Sequence, residues 1–201
     1  MKNNIQFYFF TEKLNDVITK NIIKFKKICI IYKPNNINNN DHSEIINIKK
    51  FCKKNNILFL ISDSLKLAFK YKADGIFLSS WNKRSLKIYN YQKKFHIVGS
   101  AHNMKEYYFK IRQKCQTVML SPIFYNKKYT KNKILKVIKF NLITLSWKTK
   151  ICALGGVNLD NLQKIKITNA SSVAFINLIY SYNTKSLPMI SMSRLFKTKL
   201  L

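Results

Sequence analysis

The sequence of 201 residues predicts an α/β fold, a compact (β/α)8 TIM barrel, from three observations. Eight short runs rich in Ile, Val and Phe are almost continuously apolar, as expected of strands buried on both faces of a parallel sheet. Successive runs begin 18 to 34 residues apart, which leaves room for a helix in each interval. Eight such units in a chain of this length match the lower end of the barrel size range, and an open doubly wound sheet is the alternative.

The predicted strands are the apolar runs themselves. In chain order they are residues 7–11, 28–32, 57–62, 75–78, 96–99, 117–120, 151–154 and 173–176. We expect a single domain over residues 1–201, because no linker, charge run or change of composition marks a boundary.

Helices are predicted where Asn, Asp or Ser precedes a segment with apolar residues at helical spacing, since these residues cap helix N-termini. Such segments are residues 44–54, those after Asp63-Ser64, those after Asn103, those after Asn158 or Asp160, and residues 132–147. The stretch after Trp81 predicts only a short or irregular helix, and residues 185–201 predict a final helix broken at Pro188. Loops are expected at residues 35–40 and 126–131.

The net charge of +29 arises from 37 Lys and Arg against 8 Asp and Glu. Cations attract nucleic-acid phosphates, so a basic nucleic-acid-binding protein is one hypothesis. However, 34 of the cations are Lys and only 3 are Arg, and Ile (27) and Asn (23) are also abundant. The abundant residues share AT-rich codons, whereas a dedicated binder would use Arg, which contacts bases and phosphates bidentately. We therefore expect no nucleic-acid partner and interpret the charge mainly as codon bias.

The cysteines, histidines and apolar segments exclude several classes of protein. The four Cys form no CxxC pair and the three His have no partners at metal-ligand spacing, so neither a zinc site nor a redox motif is predicted, and a reducing compartment is the simple interpretation. Residues 1–10 contain too short an apolar run for a signal peptide, and no run approaches the roughly 18–20 apolar residues of a membrane span. We expect a soluble cytoplasmic protein with no membrane partner.

Polar side chains follow nearly every predicted strand. They are Thr11, Lys33, Ser62, Asp63, Ser79, Ser80, Asn82, Ser100, His102, Ser121 and Asn177. Active sites of these barrels lie at the carboxyl ends of the strands, so the set predicts a polar ligand-binding mouth. For each residue taken alone, helix N-capping is the alternative explanation. Asp74 instead precedes a strand and predicts turn chemistry at the opposite face.

The pair Gly155-Gly156 is the strongest single signal, since it holds half of the four glycines and follows the seventh strand. Two glycines there let the backbone approach a phosphate and direct N–H groups at it, although a plain tight turn is the alternative. Asp63 could hold Mg²⁺ or cap a helix, and Lys33 could meet a phosphate as a point charge. His102 fits either a place in the mouth or a packed structural role.

Four motifs occur in a recognisable order. They are Lys-Ala-Asp-Gly at 72–75, Val-Gly-Ser-Ala-His-Asn at 98–103, Met-Leu-Ser-Pro-Ile-Phe at 119–124 and Ala-Leu-Gly-Gly-Val at 153–157. With them the chain resembles the thiamine phosphate synthase superfamily, which includes the TenI-type thiazole tautomerases, over about residues 5–182. The resemblance implies a (β/α)8 barrel that joins hydroxymethylpyrimidine diphosphate to a thiazole phosphate, with Mg²⁺ as cofactor, and releases pyrophosphate. The partners it implies are these small phosphorylated substrates, and a homo-oligomer is compatible with it.

The resemblance also implies three groups of site residues. Those that contact the leaving diphosphate are the catalytic Lys33 and Ser100, together with Ser62. Those that hold Mg²⁺ are Asp63 and Asn82. Those that bind the thiazole phosphate are Asn126, Gly155, Gly156, Ile176 and Asn177.

Several positions depart from the pattern of that family. Ile31 stands where an Arg is expected, Phe77 replaces a His, and Asn82 replaces an Asp and is a neutral, weaker metal ligand. Pro122 stands where a tautomerase has a His. Three hypotheses follow: a transferase that makes thiamine phosphate, a family relative with altered or no chemistry that binds a thiamine precursor, and the basic nucleic-acid-binding protein.

Overall fold

Eight parallel strands close into a barrel in the computed structural model, which describes residues 7–25, 27–34, 42–85, 95–127 and 129–181. The strands are β1 (Phe7–Thr11), β2 (Ile28–Tyr32), β3 (Leu58–Ser62), β4 (Gly75–Leu78), β5 (His96–Ala101), β6 (Thr117–Leu120), β7 (Lys150–Leu154) and β8 (Ser172–Phe175). Each strand pairs with the next, and β8 closes the ring on β1. The predicted (β/α)8 barrel is confirmed, and the open sheet is excluded.

Alternate strand residues face the barrel interior and the surrounding helices, which explains why the runs are apolar throughout. The interior is filled by the buried side chains of Tyr8, Phe10, Cys29, Ile31, Leu60, Phe77, Val98, Met119, Cys152 and Ala174. Intervening residues such as Phe9 and Ile30 belong to the larger cluster beneath the helices. The barrel therefore has a solid apolar centre that leaves no room for a ligand, and the active site is expected at the carboxyl ends of the strands above it.

The helices are α1 (Asp16–Ile22), α2 (His42–Lys54), α3 (Leu65–Lys70), α4 (Met104–Arg112), α5 (Lys136–Thr144) and α6 (Leu178–Ser181), with 3₁₀ segments at Lys131–Lys133 and Leu162–Ile167. As predicted, Ser64 and Asn103 cap α3 and α4, each accepting a hydrogen bond from a backbone N–H of the first turn. The sequence reasoning did not identify α1, which Asn15 caps in the same way.

The segment after β7 differs from its prediction. An α-helix beginning at Asn158 or Asp160 is wrong, because a 3₁₀ segment begins only after Asn161. The side-chain oxygens of Asn158 and Asn161 each accept from the other's backbone N–H at 3.0 Å. These local bonds stabilise a turn in place of the first helical turn.

Other predicted elements are shortened or lie elsewhere. The helix expected over residues 132–147 is confined to α5, preceded by one 3₁₀ turn. The loop expected at residues 35–40 and the final helix expected at residues 185–201 lie outside the described residues. The same holds for residues 86–94, which contain most of the stretch after Trp81.

Asp74 has the structural role predicted for it at the N-terminal face of the barrel. Its carboxylate accepts from the backbone N–H of Phe59, and its carbonyl accepts from the backbone N–H of His96, both at 2.9 Å. These bonds fix the turn before β4 to the neighbouring strands. Because this turn precedes a strand, it lies at the opposite end of the barrel from the predicted mouth.

The four cysteines are buried free thiols, and Cys29 and Cys152 lie in the apolar interior of the barrel. Burial raises the pKa of the Cys52, Cys115 and Cys152 thiols to about 12, so these groups stay protonated at neutral pH. Within the described part of the chain, no helix combines the length and apolar character needed to cross a bilayer.

Candidate active site

A cavity of about 310 Å³ opens at the carboxyl ends of the strands, directly above the apolar interior. We call it the mouth cavity. Its polar and apolar wall residues include Lys33, Ser79, Ser100, Ser121, Asn126 and Ile176. Most of them lie two positions after a residue whose side chain fills the barrel interior. Because side chains two positions apart on a strand point to the same side, these residues point into the opening.

The floor of the mouth cavity is aromatic. Phe10 and Phe77 meet edge to face, with ring centroids 4.9 Å apart. The Nζ atom of Lys33 lies 5.9 Å from the Phe10 centroid and 5.7 Å from the Phe77 centroid, within the range of a cation–π contact. Ile31 is fully buried in the same interior cluster. At the two positions where the family resemblance predicts Arg and His, this chain therefore has the apolar Ile31 and Phe77, which lie in the apolar cluster beneath Lys33.

A second cavity, of about 470 Å³, adjoins the first over the ends of β7 and β8. We call it the glycine-pair cavity, because Gly155 and Gly156 lie in its wall. The residues that it shares with the mouth cavity are Asn126, Leu154, Gly155 and Ile176. Lys127 and Asn177, both exposed, belong to its polar lining. Ligands in the two cavities would be neighbours across a common wall.

Gly155 and Gly156 have φ values of +93° and +71°, in the region that favours glycine. A Cβ atom at Gly156 would lie 2.4 Å from the backbone oxygens of both Phe124 and Tyr125. The carbonyl of Gly155 accepts from the Phe124 N–H at 3.0 Å, and that of Gly156 accepts from Nδ2 of Asn161 at 2.7 Å. Because C=O and N–H point in opposite directions across a trans peptide, the following N–H groups are directed away from these partners. Held in this way, the backbone is suited to present N–H groups to a phosphate.

Three donors from the loop after β4 fix the carboxylate of Asp63. Its Oδ1 accepts from the Ser79 N–H at 2.8 Å and from Nδ2 of Asn82 at 3.0 Å, while its Oδ2 accepts from Oγ of Ser79 at 2.5 Å. The residue has a φ of +57°, and Ser64 is the one that caps α3. Helix capping by Asp63 is therefore wrong, and its carboxylate joins the ends of β3 and β4.

The donor set around Asp63 limits how Mg²⁺ could bind. A carboxylate offers about four acceptor positions, so the three hydrogen bonds leave room for one cation contact. Asn82 turns its amide N–H towards Asp63, while its Oδ1 accepts from the backbone N–H of Arg84 at 3.2 Å. Asp63 therefore fits as the single protein ligand of an Mg²⁺ ion whose other ligands are phosphate oxygens of a bound substrate. Asn82, as it is oriented, does not fit as a second ligand, because its NH₂ group and not its oxygen faces Asp63. Among the residues that the structure describes, no cluster of three or more His, Cys, Asp or Glu could hold a metal.

His102 combines both roles that the sequence leaves open for it. It lines the mouth cavity, and Oε2 of Glu106 accepts from its backbone N–H at 2.7 Å and lies 3.0 Å from its Nδ1. Its Nε2 lies 3.1 Å from the hydroxyl of Tyr129. With the ring proton on Nδ1 facing Glu106, Nε2 accepts from the Tyr129 O–H. The three side chains form one hydrogen-bonded row from α4 to the loop after β6.

A family model described as thiamine monophosphate synthase matches residues 9–179, from within β1 to within α6. The chain belongs to the thiamine monophosphate synthase family. Both cavities lie within the matched residues.

Relatives of the same family are similar in sequence and in fold. A thiamine-phosphate synthase of Prochlorococcus marinus strain SARG is 33% identical over 141 residues, covering 68% of this chain and 40% of that protein. One from Prochlorococcus marinus subsp. pastoris is 30% identical over 203 residues, covering 96% of this chain and 56% of that protein. The chain spans about half the length of these curated relatives. The thiamine phosphate pyrophosphorylase from Pyrococcus furiosus superposes with a TM-score of 0.71 at 16% identity, over 97% of this chain and 96% of that one, which supports the fold.

Most of the site residues predicted for this thiamine monophosphate synthase family member come together. Those in the mouth cavity are Lys33, Ser100, Asn126, Gly155 and Ile176, and the glycine-pair cavity adds Gly156 and Asn177. Ser62 is buried, and neither it nor Asp63 nor Asn82 lies in the wall of either cavity. Asp63 is joined to the mouth through its hydrogen bonds to Ser79.

Sequence reasoning missed two residues that are hydrogen-bonded to the lining of the mouth cavity, Glu106 to His102 and Lys110 to Ser79. Glu106 follows His102 at the i, i+4 spacing of a helix start, and that spacing is a signal that could have identified the pair. Lys110 on α4 is fully buried, but in a chain with 34 lysines the residue type alone does not distinguish it from the others. Burial lowers the pKa of the Lys110 ammonium group, and the nearby thiol of Cys115 and the carboxylate of Asp63 act in the opposite direction.

The family resemblance implies that the mouth cavity holds the leaving diphosphate, and Tyr129 and His102 both line that cavity. On that assignment we expect Tyr129→Phe to weaken pyrophosphate binding by about 3- to 10-fold. The barrel should stay folded, because only the hydroxyl that reaches His102 is removed. Calorimetric titration with pyrophosphate and Mg²⁺ measures the effect. The matched control is Tyr125→Phe, on the same loop and 60% exposed. Equal affinities of the two variants would show that the Tyr129 hydroxyl takes no part in binding.

Proposed function

We propose that this chain is a thiamine phosphate synthase-like transferase of thiamine biosynthesis. It joins hydroxymethylpyrimidine diphosphate to a thiazole phosphate and yields thiamine phosphate and pyrophosphate. The observation that carries the proposal is the pair of cavities with a common wall, one with a lysine and hydroxyl groups and the other with the pinned glycine pair. Two phosphorylated substrates bound in adjoining cavities are held close together, which supports the proximity that a two-substrate reaction needs.

The bond changes in this proposal require no protein nucleophile. The C–O bond to the diphosphate breaks, and its electron pair leaves with pyrophosphate. The resulting pyrimidine cation is captured by the thiazole nitrogen, which forms the new C–N bond. The protein therefore contributes position and charge, which are the main sources of catalysis for such a step.

We assign Lys33 and Ser100 as the catalytic residues that meet the leaving diphosphate, with Ser62 supporting the same end. The ammonium group of Lys33 opposes the negative charge that grows on the leaving group. Its place near Phe10 and Phe77 supports this role, because an apolar floor limits the screening of charge by water.

In the glycine-pair cavity, backbone N–H groups of the loop that begins at Gly155 and Gly156 bind the thiazole phosphate. The other residues assigned to this end are Asn126, Ile176 and Asn177. The hydrogen-bonded carbonyls of the glycine pair support the assignment, since the N–H groups that follow them point away from those partners and are suited to meet an anion.

Mg²⁺ is the proposed cofactor, with Asp63 as its protein ligand and Asn82 as the neighbour that orients the carboxylate. When bound, the ion would neutralise charge on the diphosphate. The remaining acceptor position on Asp63 supports this proposal, and Ser79 holds the carboxylate next to the mouth cavity.

The second candidate is a TenI-like relative with altered or no chemistry that binds a thiamine precursor phosphate. The apolar Ile31 and Phe77 and the orientation of Asn82 favour it, because they leave the diphosphate end with fewer charged groups than the family resemblance implies. Thermal stabilisation by thiazole phosphate without turnover would identify this function.

The remaining proposals concern context. One barrel domain over residues 1–201 acts in the cytoplasm on small phosphorylated pyrimidine and thiazole substrates, without nucleic-acid or membrane partners. A homo-oligomer is compatible with this description.

We expect Mg²⁺-dependent release of pyrophosphate when both phosphorylated substrates are supplied to the purified protein. A coupled phosphate assay measures the release, with omission of the thiazole phosphate and of Mg²⁺ as controls. Folded protein that releases no more pyrophosphate than a sample without enzyme would exclude the transferase and favour the second candidate.

A further inference from the structure

Lys110 is a charged residue with no exposed surface, placed on α4 behind the loop after β4. Its Nζ donates to the carbonyls of Ser79 and Asn82, both at 2.7 Å, and to Oε1 of Gln113 at 3.0 Å. An ammonium group has three donors, so these acceptors satisfy it completely. A buried cation that is fully hydrogen-bonded holds its partners in place, since losing any one bond leaves a buried donor of a charged group unsatisfied.

The barrel leaves space for this side chain. A Cβ atom at Gly99 on β5 would lie 2.7 Å from Cδ of Lys110 and 2.9 Å from Sγ of Cys115. The absence of a side chain at Gly99 therefore lets the stem of Lys110 pass between α4 and the strand. Gln113 adds bonds from Nε2 to the carbonyls of Asn82, at 3.0 Å, and Arg84, at 2.7 Å.

The two carbonyls that Lys110 holds belong to the residues that hold Asp63. The N–H and Oγ of Ser79 and Nδ2 of Asn82 are the three donors to the Asp63 carboxylate. An unbroken chain of hydrogen bonds therefore runs from α4 through the loop after β4 to the end of β3. Of these residues, Ser79 also lines the mouth cavity.

We propose that Lys110 is a positioning residue for the diphosphate end of the site, which acts by holding the loop after β4 in the form that orients Asp63. The proposal rests on the proposed function for the identity of the ligand. Without the ammonium group, the carbonyls of Ser79 and Asn82 lose their common partner, and the loop no longer fixes the carboxylate. The glycine-pair end, built from other loops, is unaffected.

The test compares Lys110→Met with Lys20→Met, which removes the same charge from an exposed position on α1. Calorimetry measures the affinity for inorganic pyrophosphate with Mg²⁺ and, separately, for thiazole phosphate. We expect Lys110→Met to weaken pyrophosphate binding at least 10-fold and thiazole phosphate binding less than 2-fold. Lys20→Met should change neither affinity. In turnover, the KM for the pyrimidine diphosphate should rise while the KM for the thiazole phosphate stays constant.

Unchanged pyrophosphate affinity in folded Lys110→Met overturns the inference, and so does an equal loss at both ends, which indicates a purely structural role. If Lys110→Met does not fold, Gln113→Leu decides by the same criterion, with an expected 3- to 5-fold loss confined to pyrophosphate. Wild-type protein that binds pyrophosphate without turnover refutes the transferase and leaves this inference standing. Wild-type protein that binds no pyrophosphate overturns both.

Discussion

Replacing Gly156 with alanine is expected to lower the thermal unfolding midpoint by about 5–15 °C and to weaken thiazole phosphate binding more than about 10-fold. The new Cβ atom would meet the backbone oxygens of Phe124 and Tyr125 at 2.4 Å, and neither backbone group can rotate away as a side chain could. A φ of +71° adds about 1–2 kcal/mol of conformational cost for a residue with a Cβ atom. Relief of the clash must separate the loops after β6 and β7, which form the glycine-pair cavity.

A graded comparison makes this prediction specific. Gly155→Ala should cause a smaller loss, because its Cβ atom would meet Pro122 at 2.8 Å. Lys166→Ala, at an exposed position in the following 3₁₀ segment, should behave as wild type. Differential scanning calorimetry and thiazole phosphate titration of the three variants provide the measurements. A larger loss of stability and binding in Gly155→Ala than in Gly156→Ala would contradict the close approach seen at Gly156.

Asp63→Asn is expected to reduce turnover by about 10²- to 10³-fold with only a small change in stability. Asparagine keeps the size of the side chain and tolerates the φ of +57°. It also keeps one oxygen for the Ser79 N–H and for Nδ2 of Asn82, but its own NH₂ group faces Oγ of Ser79 and its negative charge is lost. The loss should appear in kcat and in a higher Mg²⁺ concentration for half-maximal rate.

The matched control is Asp16→Asn, which removes a carboxylate from the exposed start of α1. Pyrophosphate release and thermal unfolding are measured for both variants. If Asp63→Asn were as active as Asp16→Asn, Asp63 would not be the metal ligand. A large loss of stability with normal turnover per folded molecule would assign Asp63 a structural role only.

The barrel could be predicted because its determinants are local and repeated. Strands buried on both faces must be apolar at every position, as in Ile28–Tyr32, and residues such as Ser64 and Asn103 cap helices wherever the chain allows it. The segment after β7 could not be predicted in the same way. There, the side chains of Asn158 and Asn161 each accept a hydrogen bond from the other's backbone N–H and so stabilise a turn in place of a helical turn. Asn side chains can form such turns or cap a helix, and the composition of the segment does not decide between the two.

The candidate site was predictable in position and less so in its contacts. Strand ends locate Lys33 and Ser100 at the mouth, because parallel strands of a barrel end on one face. The orientation of Asn82 depends on which of its amide atoms the Arg84 N–H meets, and this is decided by tertiary geometry. Lys110 is informative only through its burial, which the sequence of a lysine-rich chain does not reveal.

The wall common to the mouth cavity and the glycine-pair cavity has a thermodynamic consequence. Both cavities are bordered by Asn126, Leu154, Gly155 and Ile176. A ligand in one cavity that shifts these residues therefore alters the free energy of binding in the other cavity. Linkage requires this effect to be reciprocal, so the factor by which one ligand changes the dissociation constant of the other is identical in both directions. A ligand of that kind in either cavity is an effector of the other, and their coupling free energy can be measured by titrating thiazole phosphate in the presence and absence of pyrophosphate, when no reaction takes place.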